Sequence, residues 1–398
     1  MFGSFFRKRM RFKYSPDAVT ESMAAGLYNL KRNSRPVPLR FFVYPTALCN
    51  DRCIYCSDSL NAESNEGTRH LQYDPRKDFF SDKNNVRKLA EDVKKLSVRD
   101  IHLFGGGEPF FYKENMFYFL EALRDTDVFI RVITNSNALL LEDVERMVRD
   151  RLVSQLNISF NTDSEQTAAG IYSSPKRHRH TLEILSAVTK FKNMYNSPVP
   201  SVDIMFTLLK NNCDKVPGVI GHLRGHRINF FFFQQLRCYT AEQAALAAAA
   251  VPEDDLRRAG SMLEELGIDS NIGELARHSE NAAPAKQPAA GDDNGVSLRN
   301  RRGISLGCYM PLTTLSICYN GNVPVCQFRY DKQFSFNYLD PGSLVEFLKG
   351  REYVSFLRNF IGSTEFPEAC RGCLFCVDHE ARVLRERFRH FDSLKRKP

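Results

Sequence analysis

Cys49-Asn50-Asp51-Arg52-Cys53-Ile54-Tyr55-Cys56 places three thiols within eight residues, directly after the apolar stretch Phe41-Phe42-Val43-Tyr44. Thiolates are soft ligands that suit iron–sulfur clusters. A [4Fe–4S] cube takes four ligands, so three cysteines leave one iron open to something else. With 11 cysteines in 398 residues, such a triplet arises by chance in roughly one chain in a hundred. A set of buried core cysteines is the plainer alternative, because free cysteine is a common interior residue. Asn50, Asp51 and Arg52 argue against it, since they make the segment a loop rather than a core strand. The cysteine count is odd, the spacing uneven and the chain far larger than a disulfide scaffold. These features point to reduced thiols serving as metal ligands in a reducing cytoplasm.

A second constellation is Phe104-Gly105-Gly106-Gly107-Glu108-Pro109. Glycines at the end of a strand let backbone approach a ligand closely, and Glu108 offers a carboxylate suited to a ligand ammonium. A third lies near the C-terminus. Cys308, Cys318 and Cys326 surround an Asn320-Gly321 hairpin signal, and Cys370-Arg371-Gly372-Cys373-Leu374-Phe375-Cys376 follows. By spacing alone this group suits zinc as well as a cluster. Cys318 sits in an apolar, strand-like run and reads as core. Cys213 and Cys238 stand alone and read as structural.

The elements that must position these residues alternate. Strand-like runs are expected at Phe41–Pro45, Ile101–Phe104, Phe129–Thr134, Leu156–Phe160, Val202–Leu208 and Ile228–Phe233. Helical patterns lie between them at Val86–Leu96, Glu114–Arg124, Leu141–Asp150, His180–Tyr195 and Lys215–Arg224. Alternation of this kind predicts parallel βαβ units. Short apolar strands without strict alternation suit a barrel or an open sheet covered on both faces. The long polar stretch Ser57–Lys83 has the length of a lid or binding loop.

A three-cysteine loop after the first strand, with Gly-Gly-Glu-Pro after the second, resembles the radical S-adenosylmethionine (SAM) enzymes. Residues 38–240 correspond to that family's core, so the expected class is α/β, a partial (β/α)6 TIM-like barrel with a small C-terminal cysteine-rich domain. The resemblance implies that Cys49, Cys53 and Cys56 hold a [4Fe–4S] cluster whose open iron takes SAM. Tyr55 would lie against adenine, and Gly106, Gly107 and Glu108 would receive the methionine ammonium. Thr134, Asn135 and Ser159, at the ends of the third and fourth strands, match positions that line the same cofactor. The implied chemistry is reductive cleavage to a 5′-deoxyadenosyl radical, which abstracts a substrate hydrogen. The C-terminal cysteines resemble the SPASM or twitch extension. Six cysteines are too few for two clusters, so the expectation is one auxiliary [4Fe–4S] cluster on Cys308, Cys326, Cys370 and either Cys373 or Cys376. In the family that arrangement accompanies net oxidation or maturation of a small metabolite or peptide. The expected organisation is a basic lead-in (1–37), the core (38–240), a helix and low-complexity linker (241–302), the auxiliary-cluster domain (303–380) and a basic tail (381–398).

Apolar content of 43% and charged content of 26% are ordinary for a soluble globular chain. No apolar run reaches the length of a spanning helix. The basic start carries no apolar h-region, so a cytoplasmic location is expected. The net charge of +8 concentrates at the two ends, which suits an acidic partner such as a flavodoxin or ferredoxin electron donor. Aromatics interleaved with the first cations also permit peripheral membrane contact. The charge forms no stripe and no RNA-binding module is visible, which argues against nucleic acid. An RNA-modifying radical SAM enzyme and a non-catalytic iron–sulfur scaffold or electron carrier are the alternatives.

Overall fold

The computed structural model describes residues 40–56, 78–96, 98–236, 241–248, 251–273, 314–326 and 333–362. These fall into two compact units. The larger spans residues 43–90 and 100–285; the smaller combines the described residues up to 42, those in 91–99 and those from 286 onward.

In chain order the larger unit runs from the end of β1 (Arg40–Val43) through the first part of α1 (Lys83–Leu96), β2 (Asp100–Leu103), α2 (Lys113–Ala122) and β3 (Phe129–Thr134). It continues through α3 (Leu141–Arg149), β4 (Gln155–Ser159), α4 (Glu165–Ala169), α5 (Arg177–Met194) and β5 (Ser201–Leu208). It closes with α6 (Val216–Gly221), β6 (Phe230–Gln235), α7 (Ala241–Leu246), α8 (Glu253–Glu265) and β7 (Asp269–Ser270). Strands β2 to β7 lie side by side in sequence order, each pair parallel. β1 follows beside β2, where the Val43 carbonyl accepts from Phe104 N at 3.2 Å. The parallel units are those the alternation predicts, and their open α/β arrangement is the partial barrel that the family resemblance implies.

The strands explain their own composition. Every residue of β3 except Ile133 is buried, as is every residue of β5 except Met205. Both faces are covered, so apolar runs need no alternation. β6 departs from this. Phe231 and Phe233 are buried and pack on Phe206, whereas Phe232 on the other face is 36% exposed. Each expected strand lies within two residues of the observed one. The helices shift more. α5 starts at Arg177 rather than His180 because the chain leaves Pro175 straight into the helix, with Lys176 as its cap. α6 stops at Gly221 rather than Arg224, with Gly218 also inside it, and glycine is a poor helix former.

The smaller unit holds β8 (Thr314–Ile317), β9 (Asn322–Pro324), β10 (Gln333–Asn337), α9 (Leu344–Lys349) and α10 (Arg351–Gly362). The Asn320-Gly321 turn is present, with Gly321 N donating to the Cys318 carbonyl at 2.9 Å. β9 and β10 pair antiparallel. Phe334 meets Phe347, Tyr353 and Phe356 at 5.3, 5.5 and 5.2 Å between ring centroids. Cys318 and Cys326 are both buried here. Cys238, Cys308, Cys370, Cys373 and Cys376 lie outside the described residues, as do the lead-in, most of the expected lid, the linker and the tail.

Candidate cluster and cofactor site

The cysteine loop leaves β1 and is laid against the loop that leaves β2. Gly107 N donates to the Thr46 carbonyl at 2.8 Å, and Glu108 N donates to the Leu48 carbonyl at 2.9 Å. The approach is so close that a Cβ at Gly107 would stand 1.9 Å from the Leu48 oxygen. Gly105 has φ +77° and a Cβ there would meet the Tyr44 ring at 2.3 Å. Only glycine meets both demands. The Gly-rich turn therefore acts first as a seat for the segment that carries Cys49.

Glu108 is 2% exposed, and its carboxylate ties the segment after β2 to the end of β3. Oε1 accepts from Thr134 Oγ1 at 2.6 Å and from Phe110 N at 3.1 Å; Oε2 accepts from Asn135 N at 2.8 Å. Burial pushes the Glu108 carboxyl up, and these three donors partly offset it. Asn135 carries the connection onward. Its Nδ2 donates to Asn50 Oδ1 at 2.9 Å and to Cys49 Sγ at 3.5 Å. Glu108, Thr134, Asn135 and Cys49, which are separated in sequence, thus form one connected group.

The Cys53 side is built by residues the sequence pattern did not single out. Arg177, at the start of α5, is 1% exposed. Its Nη1 donates to Asp51 Oδ2 at 2.5 Å and to Cys53 Sγ at 3.2 Å, and its Nη2 donates to the Ser159 carbonyl at 3.2 Å. The guanidinium lies 3.6 Å from the Tyr172 ring centroid. Asp51 Oδ1 accepts from Ser173 N at 3.0 Å and Ser173 Oγ at 2.7 Å. Burial alone would push the Asp51 carboxyl up; Arg177 and Ser173 outweigh that and hold it below the usual carboxylate range. Ile54 N donates to the Ile171 carbonyl at 3.1 Å, a further tie between this loop and the segment after β4.

Ser159 joins the group through its carbonyl, and its side chain is half-buried at the end of β4. Tyr55 packs against Ala168, Ile171, Tyr172 and Leu209, and its hydroxyl accepts from Asn161 Nδ2 at 2.6 Å. Cys326 belongs to the smaller unit. Nothing in the one-dimensional pattern marks Arg177, which sits in the run Lys176-Arg177-His178-Arg179-His180. Asp51 stands inside the cysteine motif, but its polarity suggested only a loop.

The residues present fit a cluster. Among the described residues no three His, Cys, Asp or Glu side chains converge on a single metal ion. A cube instead spreads its ligands over different irons. Burial pushes the Cys49 thiol up to about 12, with the Glu108 carboxylate adding to it. Burial also pushes Cys53 up, against the pull of Arg177. Ionisation must therefore come from the metal, which deprotonates a coordinating thiol. Side-chain N–H donors already aimed at two of the sulfurs suit thiolates.

Residues 43–220 match the family profile described as the Radical SAM superfamily. This segment is a radical SAM domain. One curated relative is the FeMo cofactor biosynthesis protein NifB of Klebsiella pneumoniae, 27% identical over 126 residues. That match takes in 31% of this chain and spans about a quarter (26%) of the length of the relative. Among solved structures, Streptococcus suis SuiB bound to S-adenosylmethionine superposes with a TM-score of 0.55 at 15% identity, over 85% of this chain and 72% of SuiB. Native anSMEcpe with bound AdoMet gives 0.52 at 14% identity, over 85% and 87%. At such identities the likeness is one of fold. Within the radical SAM domain, the matched segment contains the cysteine loop, the Gly-Gly-Glu turn, the ends of β3 and β4, and Arg177.

Proposed function

We propose that this chain is a radical SAM enzyme in which Cys49, Cys53 and Cys56 hold a [4Fe–4S] cluster. Gly106, Gly107, Glu108, Thr134, Asn135, Ser159 and Tyr55 would hold SAM beside it. Such a cluster with SAM bound supplies a 5′-deoxyadenosyl radical that removes a hydrogen from substrate. The observation that carries this reading is the Glu108 carboxylate, joined to Thr134 and Asn135 and, through Asn135, to Cys49.

The protein's own part follows from that arrangement. A carboxylate accepts about four hydrogen bonds. Among the described residues three are in place, two on Oε1 and one on Oε2, which leaves Oε2 a direction for the methionine ammonium. The charge needed there is already oriented, so little reorganisation accompanies binding. Asn135 and Arg177 hold two of the sulfurs, and the apolar patch of Ala168, Ile171, Tyr172 and Leu209 keeps water from that side.

The substrate is a peptide or a small metabolite, and the outcome a net oxidation or maturation. SuiB has been solved with its precursor peptide SuiA and anSMEcpe with the Kp18Cys peptide, which makes peptides the first class to try. An auxiliary cluster on Cys308, Cys326, Cys370 and Cys373 or Cys376 would accept the electron or anchor the substrate. A flavodoxin or ferredoxin would supply the reducing electron. The test is anaerobic reconstitution with iron and sulfide, reduction, and assay for 5′-deoxyadenosine. The wild-type chain should release it and Cys53→Ala, with its circular dichroism unchanged, should not. A reconstituted, reduced wild type that leaves SAM intact would overturn the proposal in favour of a scaffold or electron carrier.

A further inference from the structure

Arg177 spends a fully buried guanidinium on the cysteine loop. It reaches an anion (Asp51), a cysteine sulfur (Cys53) and a strand-end carbonyl (Ser159) at once, and among the described residues its buried Nε–H meets no acceptor. Burying a cation–anion pair costs desolvation that the pair's attraction offsets only with good geometry. An apolar residue would pack the same space without that cost, so packing does not account for it. We propose that Arg177 and Asp51 form an opposed-charge pair that sets the reduction potential of the cluster held at Cys53, Arg177 favouring the reduced state and Asp51 moderating it. The proposal rests on the cluster reading above.

The physics gives each partner a sign. A hydrogen bond to a ligand sulfur and a nearby cation both stabilise added electron density on the cluster. Arg177→Gln removes the cation and leaves Asp51 as an unbalanced buried anion, so the reduced cluster is disfavoured. Asp51→Asn does the reverse, leaving Arg177 unopposed beside the sulfur. Loss of packing or loop order would not produce opposite signs.

The experiment is an EPR-monitored redox titration of the reconstituted full chain, without SAM. The wild type is examined first, and failure to take up a cluster overturns the function proposed above, apart from any variant. With a cluster present, Arg177→Gln should lower the reduction equilibrium at least tenfold, 59 mV for a one-electron couple. Asp51→Asn should shift it in the opposite direction. Arg177→Lys, which keeps the charge, should recover at least half of the Arg177→Gln shift. Unchanged potentials, shifts of the same sign, or no recovery with lysine would overturn the inference. If Arg177→Gln takes up no cluster, Asp51→Asn decides alone: a rise supports the pair, and no rise overturns it.

Discussion

Gly107 has no side chain and yet decides where Cys49 stands. The Leu48 carbonyl occupies the place a Cβ would take, and the Gly107 and Glu108 amides bond the two loops together there. Gly107→Ala should destabilise the chain by about 1–3 kcal/mol, the range for overpacking a filled site. Because the displaced atoms belong to the cysteine loop, iron uptake on reconstitution should fall as well, and the urea midpoint and iron content check both. The cysteines, the glycines and Glu108 were legible as a site because cysteine is scarce, with 11 in the chain, and because each group sits in one short run. Asp51 and Arg177 were not. A buried arginine has the same letter as an exposed one, and Arg179, two positions on, is 62% exposed in its side chain. Only the packing of α5 against the cysteine loop separates them.

Helix α5 contributes a buried cation at each end. Arg177 opens it, and Lys192 in its last turn is 3% exposed, with Nζ donating to the Pro200 carbonyl at 2.5 Å just ahead of β5. Burial, and then Arg227, pull Lys192 down from its ordinary 10.5 to about 8. Between those two pH values the unfolded chain binds more protons than the folded one, so stability rises with pH across that window. Below pH 8 both states are protonated and the full cost of burying the charge, about 3 kcal/mol, is present. Relative to Lys192→Met, the wild type should gain up to about that amount from pH 8 to 10.5. Urea midpoints of the two chains at pH 7.5 and 10.5 measure it. The apolar strand runs were readable because β3, β4 and β5 are covered on both faces. Helix starts were less so: the first turn of α5 looks polar in sequence, yet its Arg177 and His178 are buried.

The molecule divides its cysteines between two compact units. Cys49, Cys53 and Cys56 belong to the radical SAM unit, and Cys318 and Cys326 to the smaller one. If the C-terminal group carries the auxiliary cluster proposed for it, the reconstituted chain should hold about eight irons, and Cys370→Ala should reduce that toward four. About four in the wild type would leave only the radical SAM site. Among the described residues no helix is long and apolar enough to cross a membrane. The sequence by itself determined the chemistry on offer: three thiols on one loop, a Gly-Gly-Glu turn and alternating elements that make a parallel sheet. These rest on residue type and on periods of two to eight residues, which a linear chain displays. Tertiary structure alone decided which polar groups meet that chemistry. Parallel strands need crossovers, so Thr134 and Asn135 lie 26 and 27 residues from Glu108 and Arg177 lies 126 from Asp51 before the sheet edge brings them together. A buried charge is worth its desolvation only beside the partner that the fold supplies.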